Sequence, residues 1–196
     1  MFLPFMTGTG VSMGSMFLNP LSPMNEHIQT VFVQKNNTEV LGSLTLNQAV
    51  DQKAKDLKAK ALAIDIYFST RDMPLEGTGM KMVEEAEKND LDWRLLPAIA
   101  VRESTGGKFA CKKVTFSAFG WGSCKINFDS HEKGIETVAR NLGGNNPKTA
   151  KYYADKTLTQ KLRAYNPPSV IPRYAEQVID IMDAIGEEDK IVVVKG

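Results

Sequence analysis

Glu103 is the side chain whose type and placement could do chemistry. Leu96, Ile99, Ala100 and Glu103 fall at i, i+3, i+4 and i+7, so the carboxylate shares the apolar face of a helix and points toward the core. It also occupies the last turn, where the helix macrodipole disfavours negative charge. Both effects act against the ionised form and predict a raised pKa. Stability alone rarely puts an acid in such a place, whereas a general acid that keeps its proton near neutral pH needs one. The competing explanation is an ion pair. Arg102 is adjacent and projects from another face, and Arg94 lies more than two turns back, so spacing enforces neither pairing.

Ser104-Thr105-Gly106-Gly107 ends that helix directly after the acid, which leaves the carboxyl at an edge where glycines permit close backbone approach. The run Ser117-Ala118-Phe119-Gly120-Trp121-Gly122-Ser123 follows. Small residues around Phe119 and Trp121 suit a groove floor, where aromatic faces stack on sugar rings and backbone groups meet acetamido groups. Core packing alone would account for Phe119, and less well for Trp121, set between Gly120 and Gly122. Tyr165-Asn166-Pro167 closes a later helix, and its tyrosine could hold a hydroxyl against the acid or simply pack its ring and wet its hydroxyl.

The elements that must position these groups are helical. Val50, Ala54, Leu57, Ala61, Ile64 and Phe68 alternate steps of four and three, one apolar stripe on a helix that starts near Leu46. Its Lys-rich opposite face reads as solvated. Met73-Pro74-Leu75-Glu76-Gly77 breaks the chain before two helices, near Gly79–Lys88 and Trp93–Glu103, with Asp92 able to cap the second. Four glycines among aromatic residues mark 104–128 as loop. Asp129 with Glu132 predicts a capping box for a helix to Leu142, stopped by Gly143-Gly144. Asn146-Pro147 signals another start, and Thr157 with Gln160 a further capped helix that Pro167-Pro168 ends. Tyr174, Val178, Ile181, Met182 and Ile185 line a last helix closed by Gly186. Thr30–Gln34 and Ile191–Val194 are the two strand-like stretches. The organisation is thus a leader over 1–45, an N-terminal helix over 46–72, a helical body over 73–186 and a tail over 187–196.

The 196 residues, 42% hydrophobic and 24% charged, are ordinary for a globular chain, and a net charge of +1 gives no field that points to nucleic acid. His27 and His131 are the only histidines and stand at no metal-ligand spacing, so neither metal nor cofactor is called for. Cys111 and Cys124 flank the aromatic loop. They read either as a disulfide, worth about 3 kcal/mol through unfolded-chain entropy and implying an oxidising compartment, or as two buried thiols. Residues 1–23 hold two apolar patches, Met1–Met6 and Met16–Leu21, with no Lys or Arg before Lys35. Neither patch is long enough to span a bilayer, and they read as the remains of a signal or membrane anchor or as a plain leader.

The run Leu91-Asp92-Trp93-Arg94-Leu95-Leu96-Pro97-Ala98-Ile99-Ala100-Val101-Arg102-Glu103-Ser104 resembles the acid-bearing helix of bacterial lytic transglycosylases and goose-type lysozymes. Glu103-Ser104 and Tyr165-Asn166-Pro167 carry the likeness best. One segment departs: where those enzymes carry Gly-Leu-Met-Gln, this chain has Phe119-Gly120-Trp121-Gly122-Ser123, closer to the endo-N-acetylglucosaminidase domains of the same superfamily. The resemblance spans roughly Ala61 to Gly186. It implies a mainly α, lysozyme-like domain acting outside the cytoplasm on peptidoglycan or a related amino-sugar polymer. It further implies Glu103 as acid/base, Tyr165 as its supporting hydroxyl, and Ser104 as a neighbouring contact.

A hydrolase of this kind needs a second carboxylate, about 5 Å away for retention or roughly 6.5–9.5 Å for inversion. Asp129, Glu132 and Glu136 are the candidates; a helix cap accounts for the first two and a solvated face for the third. A transglycosylase needs none, because a hydroxyl of the sugar attacks, and the expectation leans that way. A glycan-binding module, a structural relic of the fold and a Cys-based hydrolase with His131 as base are the competing classes.

Overall fold

The computed structural model describes residues 48–195, all but the first of them within the compact unit Ala49–Gly196, and side chains as far as Lys190. The leader 1–45 and the expected strand Thr30–Gln34 lie outside the described residues. These contain eight helices and no strand, so the protein is mainly α.

Helix α1 spans residues 48–69. Its stripe is buried only toward the C-terminal end, where Ala61, Ile64 and Phe68 enter the core while Val50 remains 59% exposed. Along the outer half Leu57 touches the core, an exposed Lys53–Glu87 pair reaches the next helix, and Lys60–Asp56 pair within the helix itself. Helix α2 (Gly79–Lys88) begins against α1, with Gly79 so close to the Ala61 carbonyl that no side chain fits there. The N-cap residue Thr78 makes no side-chain cap. Instead Asp65, reaching over from α1, accepts from the amides of Gly77 and Gly79 at 2.9 and 3.0 Å, a cap that local spacing does not reveal.

Helix α3 (Leu95–Ser104) is the central element. Leu95 to Ala100 are all buried, and Pro97 falls in the first turn, where a missing N–H costs no intrahelical bond. Arg94, not Asp92, is its N-cap; Asp92, two residues before the cap, accepts from the Arg94 amide and guanidinium. Thr105 ends α3 in the left-handed region, at φ 52°.

The loop from 105 carries a short helical turn, α4 (Trp121–Cys124), and the Cys111–Cys124 disulfide, with Cα atoms 5.7 Å apart. Helix α5 (His131–Leu142) is capped by Ser130, whose hydroxyl accepts from the Lys133 amide; the capping box expected at Asp129 is one residue out. The Asn146-Pro147 start yields only a turn leading into α6 (Ala150–Tyr153). Thr157 and Gln160 form the reciprocal capping box of α7 (Leu158–Tyr165).

Helix α8 runs from Tyr174 to Lys195. Two expectations fail here: Gly186 does not close it, and Ile191–Val194 is helix rather than strand. A glycine inside a helix costs about 1 kcal/mol. Here the bare Cα lets the Arg94 side chain lie within 3.3 Å of where a methyl would stand. Packing of Tyr174, Val178, Met182 and Ile185 nucleates the helix, and elongation through the β-branched run then adds one hydrogen bond per residue. Helix α8 packs chiefly on α3. Residues of all the longer helices, Phe68, Met82, Leu96, Ile135, Leu162 and Val178 among them, share one core with Phe119.

Candidate active site

The fold brings three distant segments to the end of α3. Glu103 is half-buried in the last turn. The first residue of α8, Tyr174, donates its hydroxyl to Glu103 Oε1 at 2.6 Å. From the other side comes Gly120 at φ 60°, whose backbone lies so near that an added Cβ would stand 3.0 Å from Glu103 Oε2. Glycine lets the loop close on the carboxylate in that conformation without strain, where a methyl would have to push the carboxylate aside.

Two hydroxyls hold the loop in place. Ser104 Oγ donates to the Ala118 carbonyl at 2.6 Å and accepts from the Gly107 amide, so this buried serine ties the helix end to the loop. Tyr165 donates to the Phe119 carbonyl at 2.6 Å. Both findings correct the assignments above. Ser104, 3% exposed, is no substrate contact, and Tyr165 does not touch the acid, because its hydroxyl is spent on the loop. Phe119 is also no groove residue: its ring is 1% exposed and packs in the core, and only its carbonyl takes part.

The supporting hydroxyl is that of Tyr174. In the sequence it reads only as the first residue of a core stripe, and 71 positions separate it from Glu103, so no spacing signals the pairing. Its ring stacks on that of Tyr165, with centroids 6.1 Å apart and planes 7° from parallel. The aromatic tier continues through Trp121, 5.5 Å from Tyr165 and 6.4 Å from Tyr153. The rings of Trp121, Tyr153 and Tyr165 form one wall of a groove of about 490 Å³, into which Glu103 opens, while Tyr174 lies buried behind them. Gly120, Trp121, Gly122 and Asn166 line it, as does Tyr153, which sequence reasoning missed. The side-chain oxygen of Asn166 is buried without a hydrogen-bond partner among the described residues.

Burial is the largest influence on Glu103 and raises its pKa; the Tyr174 hydrogen bond and the charge of Arg102 oppose it without cancelling it. Neither arginine pairs with it among the described residues. Arg102 turns away, with Nε donating to Gln177 at 2.8 Å and the guanidinium over the Tyr174 ring. Arg94 bridges Asp92 at 2.7 Å and Asp183 at 3.4 Å. The tyrosines keep their protons. Burial, helped by the Glu103 charge, lifts Tyr174 and Tyr165 far above the ordinary phenol range, and burial followed by Tyr152 pushes Tyr153 up to about 12.

Among the described residues Glu103 is the only carboxylate that lines the groove. Asp129 and Glu132 are exposed, and Glu136 pairs with Lys133 at 2.9 Å on α5. The arrangement offers one proton donor with one protein hydrogen bond, a backbone cleft beside it and an aromatic wall.

No family model, curated protein or solved structure matches the chain. Among the described residues no helix is long and apolar enough to cross a membrane, and the disulfide is compatible with an oxidising compartment.

Proposed function

We propose that this protein cleaves the glycan strand of peptidoglycan between amino sugars, outside the cytoplasm, with Glu103 as its single acid/base. The observation that carries the reading is a half-buried carboxylate with a raised pKa and no ion pair among the described residues, opening into a groove walled by aromatic rings. The likeness of its helix to the acid-bearing helix of lytic transglycosylases and goose-type lysozymes supports it. Aromatic faces suit sugar rings. Asn166 lines the groove beside them, and its amide group is of the type that pairs with an acetamido group.

Tyr174 occupies Oε1, so Oε2 is the oxygen that carries the proton. Glu103 gives it to the bridging oxygen, the bond to the anomeric carbon breaks, and the leaving sugar departs as an alcohol. The carboxylate, steadied by Tyr174, then takes a proton from a hydroxyl of the sugar that bears the anomeric carbon, not of the departed one, as that oxygen closes on the anomeric carbon. Glu103 ends protonated, ready for another turn. The lack of a second groove carboxylate among the described residues favours this intramolecular route over hydrolysis.

Mass spectrometry of digested peptidoglycan tests the proposal. The expected product is lighter by one water than the hydrolytic one, and Glu103→Gln lowers the cleavage rate by about 10²- to 10⁴-fold, the usual worth of a general acid. Products of hydrolytic mass overturn the route. Cleavage undiminished in Glu103→Gln, or absent in the wild type, overturns the enzyme reading.

A further inference from the structure

The loop between α3 and α5 has a chemistry that the groove does not use. Residues 104–128 contain Lys108, Lys112, Lys113 and Lys125 and no Asp or Glu, a block of four positive charges in a chain whose net charge is +1. The Cys111–Cys124 disulfide joins the segment that carries Lys112 and Lys113 to the one that carries Lys125. Those three are exposed and have no ion-pair partner among the described residues, while Lys108 donates to the Arg71 carbonyl at 3.0 Å.

Interleaved with them stand Phe109, Phe116 and Ile126, exposed by 76%, 42% and 40%. Thr115 and Phe128 are joined by two hydrogen bonds, of 2.9 and 3.2 Å, which hold the limbs bearing Phe116 and Ile126 side by side. A single exposed apolar side chain is ordinary. Three on one cross-linked loop, among unpaired ammonium groups and with no carboxylate between them, form an interfacial pattern. Ammonium groups meet phosphates there while rings and aliphatic chains enter the acyl boundary. A hydrated polyanion would satisfy the lysines but leave Phe109, Phe116 and Ile126 in water, and that difference decides the partner.

We propose that this disulfide-clipped loop docks the protein on an anionic phospholipid surface. The docking stands independently of the glycan-cleavage reading. Ile126 packs over Gly122, which lines the groove, so a docked loop would hold the groove mouth next to the bilayer.

Co-sedimentation of the full chain with vesicles of phosphatidylglycerol and phosphatidylcholine tests it, against vesicles of phosphatidylcholine alone. Binding is expected to the anionic vesicles and to weaken with salt. Each lysine near such a surface contributes about fivefold in affinity, so Lys112→Gln with Lys113→Gln weakens binding about thirtyfold. Phe109→Ser with Ile126→Ser keeps every charge and weakens it about tenfold or more. None of the four side chains lines the groove, though Ile126 touches Gly122 from outside, and a melting temperature within about 4 °C of the wild type for each variant shows that weakened binding is not unfolding. Equal binding to neutral vesicles overturns the proposal, as does binding that neither variant changes. So does retention by an insoluble anionic wall polymer with no binding to vesicles, which would assign the lysines to a hydrated polyanion.

Discussion

Replacing Gly120 by alanine perturbs the site by one methyl group, and its effect divides into two parts. The first is backbone strain. Gly120 sits at φ 60° and ψ 11°, where an L-residue costs roughly 1–2 kcal/mol. The second is a wedge. The new Cβ would stand 3.0 Å from Glu103 Oε2 and 3.8 Å from its Cδ, and the carboxyl is held from the other side by the Tyr174 hydroxyl at 2.6 Å. A displacement of a few tenths of an ångström therefore has to be absorbed by the proton donor or by the loop. Misplacement by about 1 Å costs on the order of 10²-fold in rate, so a loss of about ten- to a hundredfold is expected. Gly77 provides the control: its φ of 85° carries the strain, but nothing lies within 4 Å of an added methyl. Thermal melts and clearing of peptidoglycan suspensions, assayed well below either transition, separate the two parts. Both variants should melt roughly 2–8 °C lower, and only Gly120→Ala should lose activity. An active Gly120→Ala, or a Gly77→Ala that loses as much, would show that the loop backbone does not set the position of Glu103.

Three further outcomes follow from the same geometry. Tyr174→Phe removes the hydrogen bond that favours ionised Glu103, so its pKa rises further and the alkaline limb of the pH–rate profile moves to higher pH. The rate falls about 10- to 100-fold, the worth of a hydrogen bond to a charged group, and a limb that moves down or stays in place contradicts the assignment. Glu103→Gln should raise the melting temperature near neutral pH. Because the folded-state pKa lies above the unfolded one, the stability tied to the Glu103 proton is complete below the unfolded value and is lost as pH rises through the folded value. The advantage of glutamine should therefore vanish on acidification; an advantage that grows in acid would reverse the sign. Reducing the Cys111–Cys124 bridge should cost about 3 kcal/mol through the entropy of the unfolded chain, a fall in melting temperature of roughly 6–12 °C, and melting unaffected by reductant would remove the bridge from the stability account.

What was legible in the sequence was local. The bounds of α2 and the Thr157–Gln160 capping box depend on residues within a few positions of one another, and there pattern and structure coincide. The placement of Glu103 on a buried helical face was legible for the same reason, since a helix carries its own periodicity. Contacts across the chain were not. Asp65 caps α2 from α1, Arg94 fills the space beside Gly186, and Tyr174 reaches Glu103, each through packing that no spacing encodes. Tyr165 shows the converse: its motif marked a residue of the site, but the hydroxyl serves the loop carbonyl and not the acid. Ser104 and Phe119 were misread because small and aromatic residues near a cleft have the same composition whether they face it or buttress it from behind.

The chemistry of the site comes down to a single proton on Glu103. Carbon-13 NMR titration of side-chain carboxyls in glutamate-labelled protein reads it without reference to any substrate. One resonance should titrate above the ordinary glutamate range, shift further upward in Tyr174→Phe and disappear in Glu103→Gln. A Glu103 resonance that titrates at or below the value of an exposed glutamate would contradict the account.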